Sequence, residues 1–252
     1  MARRGRYNRR RRSGRFSFVY KLLSFVLICA ASAVALALFF KVDTVNIVGN
    51  RRYTQAEVLE ASGIQMGDNL FLMNKNRVAS AITDQLHYVE TVQIRRKVPT
   101  TLELTITECT SPCAVKQDAK VWLISGEGKI VDCVALSQWL SYTQITGITM
   151  SDPVVGAQLQ VPADQEHIRQ ELINLLGQLE TKGMLADTQA IHLEDVSTIY
   201  LRYLDRFDVA FRWNADFDYK LEYLKAVVER LEVNETGTID MTQDGKASFI
   251  PK

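Results

Sequence analysis

The sequence is poor in the side chains that build metal sites. It holds only four cysteines and three histidines in 252 residues. His87, His167 and His192 are far apart in sequence, and Cys109 and Cys113 have no second pair of ligands nearby. We therefore expect no metal site.

The scarcity of cysteine also limits disulfide formation. Cys29 falls in an apolar run, which leaves Cys109, Cys113 and Cys133 in the rest of the chain. Three cysteines cannot all pair with one another within one chain. One disulfide with a free thiol and three buried thiols are both open, and we expect no functional role for these residues.

The sequence lacks the short motifs that typify common catalytic sites. It contains no Gly-x-Ser-x-Gly, no His-Glu-x-x-His and no glycine-rich phosphate loop. Neighbouring acids such as Glu194 and Asp195, or Asp216 and Asp218, are expected to serve in turns and helix caps. We expect a protein that is not an enzyme, with no cofactor and no small-molecule substrate.

Acidic residues are absent from residues 1–21, which carry eight arginines and Lys21. The next stretch, Leu22–Phe40, has no charged residue, and Lys41 ends it. A helix of that length spans roughly 30 Å, the thickness of the hydrocarbon core of a bilayer. Residues 22–252 keep the other 21 basic residues against all 29 acidic ones, a balance of −8.

This asymmetry predicts a single-pass membrane protein. Arginine is costly to move across a membrane, so the basic tail, residues 1–21, should stay in the cytoplasm and residues 42–252 should lie outside. The tail should attract anionic lipid headgroups of the plasma membrane. The small-residue sequences at 31–33 and 35–37 would also suit a cleavable signal peptide, but both lie inside the apolar run. A nucleic-acid-binding arm is the other reading, and we expect no nucleic acid.

The first part of the external region, residues 42–110, predicts the element order strand, helix, helix, strand, strand. Thr54 and Glu57 form a capping-box pattern at the start of the first helix. Residues 89–96 and 101–108 predict a hairpin, and the second of these strands alternates strictly between apolar and polar residues. Two helices should cover the apolar face of a three-stranded sheet. Leu70, Phe71 and Leu72 suggest an apolar plug in a loop.

The second part, residues 111–252, predicts a mainly antiparallel α+β domain. Strands are expected near 114–115, 121–124, 129–134, 190–193, 198–203, 208–213, 237–241 and 247–250. One helix should follow Pro162, and another should span roughly residues 217–231. The fold class is therefore α+β, with a transmembrane helix at 22–40 followed by two sheet-bearing domains.

A series of short segments follows in order along the external region. These are Val45-Asn46-Ile47-Val48-Gly49-Asn50, Gly67-Asp68-Asn69-Leu70-Phe71, Val92-Gln93-Ile94-Arg95-Arg96, Val98-Pro99-Thr100-Thr101-Leu102 and Ile106-Thr107-Glu108. This series resembles a POTRA domain of the FtsQ/DivIB type, found in bitopic proteins of the bacterial division machinery. Ile145-Thr146-Gly147, Tyr219-Lys220-Leu221 and Gly237-Thr238-Ile239-Asp240 resemble the second, β domain of that family.

The resemblance implies a non-enzymatic scaffold that binds other division proteins during septum formation. Its partners would be FtsB/DivIC-like and FtsL-like membrane proteins, and it would concentrate at the division septum. The last strand of the β domain would receive the partner by strand addition. On this sequence the candidates are Ser248, Phe249 and Ile250, with Tyr219 and Tyr223 flanking; closure of the core by Phe249 and Ile250 is the alternative.

Arg95 and Arg96 precede the predicted proline turn and are candidates for a charged surface on the POTRA domain. A solvated strand end is the alternative for both. Two other functions stay open for the whole chain: a POTRA-bearing chaperone or docking protein for exported polypeptides, and a membrane-anchored cell-wall hydrolase.

Overall fold

The structure is a computed structural model that describes residues 14–243 and 245–252, and its first element is helix α1, Gly14–Phe39. Large apolar side chains of α1, among them Leu23, Phe25 and Ile28, are more than half exposed. Within the described residues, no helix meets the length and apolarity needed to cross a membrane. Most of the predicted tail, residues 1–13, and the side chains at 14–17, 33 and 36–38 lie outside the described part. The predicted membrane span therefore stays a prediction.

The next five elements form a three-stranded sheet with two helices. Strand β1 lies beside β3 in parallel register, and β2 pairs with β3 antiparallel, giving the order β1-β3-β2. The predicted order of strand, helix, helix, strand, strand is confirmed. The bounds are β1 Thr44–Val48, α2 Gln55–Ser62, α3 Lys75–Gln85, β2 Val89–Lys97 and β3 Thr101–Glu108.

Local sequence signals place the ends of these helices. The side chain of Thr54 accepts from the backbone of Glu57 and the Glu57 side chain accepts from Thr54, so the predicted capping box is present. Gly63 ends α2 with φ of 64°, in the left-handed region that glycine adopts without strain. In β3 the alternation buries Leu102 and Leu104 against the helices.

The predicted apolar plug between α2 and α3 is only partly correct. Leu70 is fully buried in the core of the first sheet. Phe71 and Leu72 point outward and are 53% and 83% exposed. Three consecutive residues in a loop cannot all face one core. The prediction from the apolar run was therefore right for Leu70 and wrong for Phe71 and Leu72.

The rest of the chain forms one nine-stranded sheet in the order β12-β11-β10-β9-β8-β7-β4-β5-β6. Its strands are β4 Cys113–Gln117, β5 Lys120–Ile124, β6 Ile130–Ala135, β7 Thr143–Thr146, β8 Thr188–His192, β9 Thr198–Tyr203, β10 Phe207–Arg212, β11 Gly237–Asp240 and β12 Ser248–Pro251. Helices α4 Glu166–Thr181 and α5 Phe217–Val228 lie between them in sequence.

Strand β7 was not predicted from the sequence. It pairs in parallel with both β4 and β8, and β10 pairs in parallel with β11. The remaining pairs in this sheet are antiparallel. The sheet is thus mainly antiparallel, as predicted, but it is not a simple meander, because two crossover connections carry α4 and α5.

One face of the large sheet carries the main core. Leu172, Leu176 and Leu179 of α4 and Leu221 and Leu224 of α5 are fully buried there. They pack with inward side chains of the strands, including Ile145, Ile191, Leu201, Val209 and Ile239. Burial of this apolar surface is the main stabilising contribution to the second unit.

The opposite face of β4, β5 and β6 forms the junction with the first unit. Tyr88 packs there with Val121, Leu123 and Val131, and its hydroxyl donates to Asp132 Oδ2 at 3.0 Å. The junction therefore consists of a small apolar cluster with a hydrogen bond between Tyr88 and Asp132 beside it. The predicted domain boundaries, 42–110 and 111–252, stay predictions.

Lys129 crosses the same junction. Its Nζ donates to Thr83 O at 2.7 Å and to Val89 O at 3.2 Å. Desolvation by burial lowers the pKa of Lys129, against the opposing effect of Asp84, Glu90 and Glu127. The ammonium group therefore replaces water with two carbonyl oxygens of the first unit.

The three cysteines outside α1 are unpaired thiols in the described structure. Cys109 and Cys113 are buried, and Cys133 is partly exposed. Burial raises the pKa of Cys109 to about 12 and also raises that of Cys113. Thiols with a raised pKa are poor nucleophiles, so Cys109 and Cys113 act as small apolar residues.

Candidate functional site

Strand β12 lies at the end of the nine-stranded sheet. Within the described residues, it is hydrogen-bonded to β11 alone. At the other end of the sheet, a loop covers β6: Ile130 N donates to Ala157 O and Gly156 N donates to Ile130 O, both at 2.8 Å. The two edges therefore differ: a loop bonds the first residue of β6, whereas among the described residues no such backbone bond reaches the outer side of β12.

The hydrogen-bond pattern shows which groups β12 presents at its free side. Lys252 N donates to Thr236 O at 2.9 Å, which makes these two residues a hydrogen-bonded pair. In an antiparallel ladder such pairs alternate, so Ile250 and Ser248 also direct their backbone groups to β11. Phe249 then directs both its N–H and its C=O outward.

The side chain of Phe249 takes no part in that outward edge. Phe249 lies opposite Ile239, packs against the main core and meets the Phe207 ring edge-to-face at 6.1 Å. The alternative reading of Phe249, closure of the core, therefore holds for its side chain. Any role of Phe249 in docking belongs to its backbone.

Ser248 and Ile250 lie on the opposite face of the sheet. Ile250 is 57% exposed and lies opposite Thr238, and Ser248 lies opposite Asp240. Tyr200 on β9 is exposed on this same face. Ile250 does not close the core.

Tyr219 and Tyr223 lie on α5, on the helix-covered side. Their rings stack with centroids 6.0 Å apart and an interplanar angle of 22°. Tyr219 is half exposed, whereas Tyr223 packs against the core. The structure thus brings Ser248, Phe249 and Ile250 together but divides the five candidates between two faces.

An ion-pair network fixes the last residue of the chain beside the edge. Lys252 Nζ and Arg202 Nη1 both bond the carboxylate of Asp208, the latter at 2.8 Å. Burial alone would raise the pKa of Asp208, but these two hydrogen bonds outweigh it and lower the pKa. The network holds the C-terminal end of β12 against β10.

The two arginines of the first sheet have different surroundings. Arg95 is exposed on the face away from the helices. Arg96 lies on the helix-covered face, donates to Met73 O at 2.8 Å, and places its guanidinium 5.9 Å from the centre of the Phe71 ring. Arg96 is therefore no solvated strand end; it holds the loop before α3.

Comparison with known proteins shows one matched domain and several similar proteins. The model for the POTRA domain, FtsQ-type, matches residues 40–108. The chain is 22% identical over 224 residues to cell division protein DivIB of Clostridium acetobutylicum, covering 88% of each chain. It is 24% identical over 184 residues to DivIB of Clostridium tetani, covering 73% of this chain and 68% of the relative. It is 23% identical over 158 residues to cell division protein FtsQ of Geotalea daltonii, covering 62% and 55%.

The chain thus carries an FtsQ-type POTRA match and is similar to the DivIB and FtsQ cell division proteins. The three-stranded sheet with α2 and α3 is its FtsQ-type POTRA domain, and the relatives are cell-division proteins. Within the described residues, no group of three or more His, Cys, Asp or Glu side chains could hold a metal ion.

Sequence reasoning missed Lys220, which positions the edge at β12. Lys220 is only 3% exposed, and its Nζ donates to Met241 O at 2.9 Å and to Gln243 O at 2.6 Å. On a helix a lysine normally faces solvent, so nothing in the local pattern indicates this burial. The bonds tie α5 to the segment that leads from β11 to β12.

Gly237 is a second residue that sequence reasoning did not assign to the edge. A Cβ at this position would lie 2.2 Å from Ile250 O and 2.9 Å from Pro251 Cα. Glycine therefore permits β12 to approach β11 closely. The only sequence signal was a glycine at the start of a predicted strand, which more often marks a bulge or a turn.

Proposed function

We propose that this chain is a non-enzymatic scaffold of the cell-division complex that captures partner proteins on the free edge of β12. The FtsQ-type POTRA match and the similarity to cell division proteins support the division role. The observation that carries the mechanism is the outward pair of backbone groups at Phe249 on an edge with no further strand. An incoming strand would complete the ladder there.

The partners we propose are FtsB/DivIC-like and FtsL-like membrane proteins. Main-chain bonds would supply affinity without regard to sequence, and exposed side chains next to the edge would supply selectivity. Ile250 and Ser248 face one side of an added strand, and Tyr219 lies on the other side of the sheet. Arg95 offers a charged contact on the POTRA domain.

We propose further that residues 22–40 anchor the chain in the plasma membrane as a type II protein that concentrates at the septum. The uncharged stretch, its basic flank and the exposed apolar side chains of α1 support this arrangement. Under this proposal, residues 1–21 are cytoplasmic and both sheets lie outside the membrane.

A matched pair of variants tests the docking edge. Phe249→Ala and Phe249→Pro both remove the ring from the core, but only proline also removes the outward N–H. One hydrogen bond contributes about 1 kcal/mol, so the Kd for a purified FtsB/DivIC-like partner should rise about fivefold more for proline than for alanine. Binding titrations of each full-length variant in detergent measure the two Kd values.

Equal affinity of the two variants would contradict strand addition at β12. A pull-down of the chain from cells separates the alternative functions. Recovery of one small set of membrane division proteins supports the scaffold, whereas a broad mixture of exported polypeptides would indicate a chaperone. Septal localisation of a fluorescent fusion, and filamentous cells on depletion, are the expected outcomes in vivo.

A further inference from the structure

The end of α1 is bonded to a loop of the POTRA domain. Leu70 N donates to Phe40 O at 3.0 Å, Val42 N donates to Asp68 O at 2.8 Å, and Gly67 N donates to Val42 O at 2.8 Å. The Phe40 and Phe71 rings meet edge-to-face with centroids 5.0 Å apart. The loop before α3 therefore lies at the level where the uncharged stretch ends.

The tip of the β2–β3 hairpin lies at the same end of the domain. Because β1 and β3 are parallel, both begin there, and Asp43 N donates to Thr100 O at 2.9 Å. Val98 at this tip is 58% exposed. Two loops that are far apart in sequence thus form one end of the domain beside Phe40.

This end exposes a group of apolar side chains. Leu72 is 83% exposed, Met66 60% and Phe71 53%. Single exposed apolar residues are ordinary, but these gather around an aromatic contact that continues to Phe40. We refer to Met66, Phe71, Leu72 and Val98, with Lys41 and Lys97, as the basal surface.

Cations surround the apolar group. Lys41 is exposed next to Phe40, the Lys97 side chain is 58% exposed beside Val98, and Arg95 is exposed on the same strand. The acids at this end include Asp43, Asp68 and Glu103, and Glu103 is paired with Lys97. The three cations and three acids named here balance one another, whereas residues 22–252 carry −8 overall.

We propose that the basal surface rests on the membrane, with Phe71 and Leu72 in the interfacial layer and the cations at anionic headgroups. This inference rests on the anchor at residues 22–40 in the proposed function. Aromatic and aliphatic side chains flanked by lysine and arginine are favourable at this depth, because their apolar parts leave water while the charges stay hydrated. The POTRA domain is then held at a fixed orientation instead of swinging from a flexible stalk.

The backbone bonds favour lipid over a protein as the occupant. They hold the loop within hydrogen-bonding distance of residues 40–42, directly beyond the uncharged stretch. With residues 22–40 in the membrane, the basal surface would therefore lie next to the bilayer surface. A protein partner would have to enter between the domain and the headgroups.

Photo-crosslinking of the full-length chain in lipid nanodiscs tests the proposal. p-Benzoylphenylalanine replaces Leu72 in one sample and Val233 in the other; Val233 is a matched control because it is 88% exposed in the second unit. Mass spectrometry should find several-fold more lipid adduct at position 72. The yield at position 72 should rise further when phosphatidylglycerol replaces part of the phosphatidylcholine.

The outcomes separate this surface from the anchor. Equal lipid adducts at the two positions, or only protein adducts at position 72, would overturn the proposed lipid contact of the basal surface. If the chain still resists carbonate extraction in that case, the proposed anchor stands. A chain that carbonate releases from membranes overturns the anchor and this surface with it. An unchanged melting temperature of each labelled protein shows that the replacement left the fold intact.

Discussion

At the scale of single residues, Glu90 is an acidic residue whose surroundings disfavour its ionised form. It occupies the irregularity in β2 between Val89 and Thr91, and its Oε1 is buried without a hydrogen-bond partner among the described residues. Burial, and to a smaller extent the nearby carboxylates Glu180 and Glu127, raises its pKa to about 7 against the opposing effects of Ser125 and Lys129. The ionised form is therefore disfavoured in the folded state.

This pKa predicts a stability that falls as pH rises. The unfolded value is near 4.5 and the folded value is about 7, so the folded protein binds more protons between them. The contribution is present below pH 4.5 and lost by pH 7. Glu90→Gln should remove this dependence and stabilise the protein at pH 8 by about 1 kcal/mol, since solvent still reaches part of the side chain.

Thermal unfolding of the full chain in detergent at pH 5 and pH 8 measures the effect. The exposed Glu60 on α2 provides the control, because Glu60→Gln should leave the pH dependence of wild type unchanged. A Glu90→Gln protein whose Tm still falls with pH as in wild type would show that another group is responsible. Glu180, whose pKa burial also raises, would be the next to examine.

At the scale of elements, the docking edge depends on how closely β12 approaches β11. The two strands share only four paired positions, so their association is local and weak. Lys220 and the network at Asp208 hold the two ends of this hairpin from outside it. The edge is therefore supported by neighbours as much as by its own ladder.

Gly237→Ala should displace β12. The added Cβ would overlap Ile250 O, and overpacking of this kind costs about 1–3 kcal/mol. Amide hydrogen exchange at residues 238 and 250 should accelerate, while exchange in β9 stays slow. Affinity for the division partner should fall as well, because the edge is no longer in place.

Gly177→Ala provides the matched glycine control. Gly177 lies in α4 with no atom closer than 4.0 Å to the added Cβ, so this change should be neutral or slightly stabilising. Unchanged exchange in the Gly237→Ala protein would show that β12 can shift without cost, and the close approach would then have no bearing on the edge.

At the scale of the whole molecule, the junction sets how the POTRA domain and the large sheet are arranged. Lys129 donates across it to two carbonyls, and Tyr88 bonds Asp132. Each hydrogen bond to a charged group contributes about 1.5–3 kcal/mol to stability. The junction is thus held by these three hydrogen bonds and a small apolar cluster.

Lys129→Met should loosen the junction without unfolding either unit. Spin labels introduced through unnatural amino acids at the exposed positions Gln93 and Val196 report the distance between the units. The distance distribution should broaden in Lys129→Met and stay narrow in Lys116→Met, which changes an exposed lysine on β4. A narrow distribution in both proteins would show that the apolar cluster alone fixes the arrangement.

Local sequence determined much of the first unit. The capping box at Thr54, the left-handed glycine at Gly63 and the alternation in β3 each act over a few residues, so the pattern shows them directly. The last strand at Ser248–Pro251 was placed by the same kind of signal. The sequence also determined the charge asymmetry on which the proposed anchor depends.

Only the tertiary structure decided which strand is the open edge and which face each candidate takes. The position of β12, the parallel pairs of β7 and the burial of Lys220 and Glu90 arise from pairing between distant segments. A side-chain period of two tells that Phe249 and Ile250 face opposite sides, but not which side carries the helices. That choice depends on where α4 and α5 pack, and no local pattern contains it.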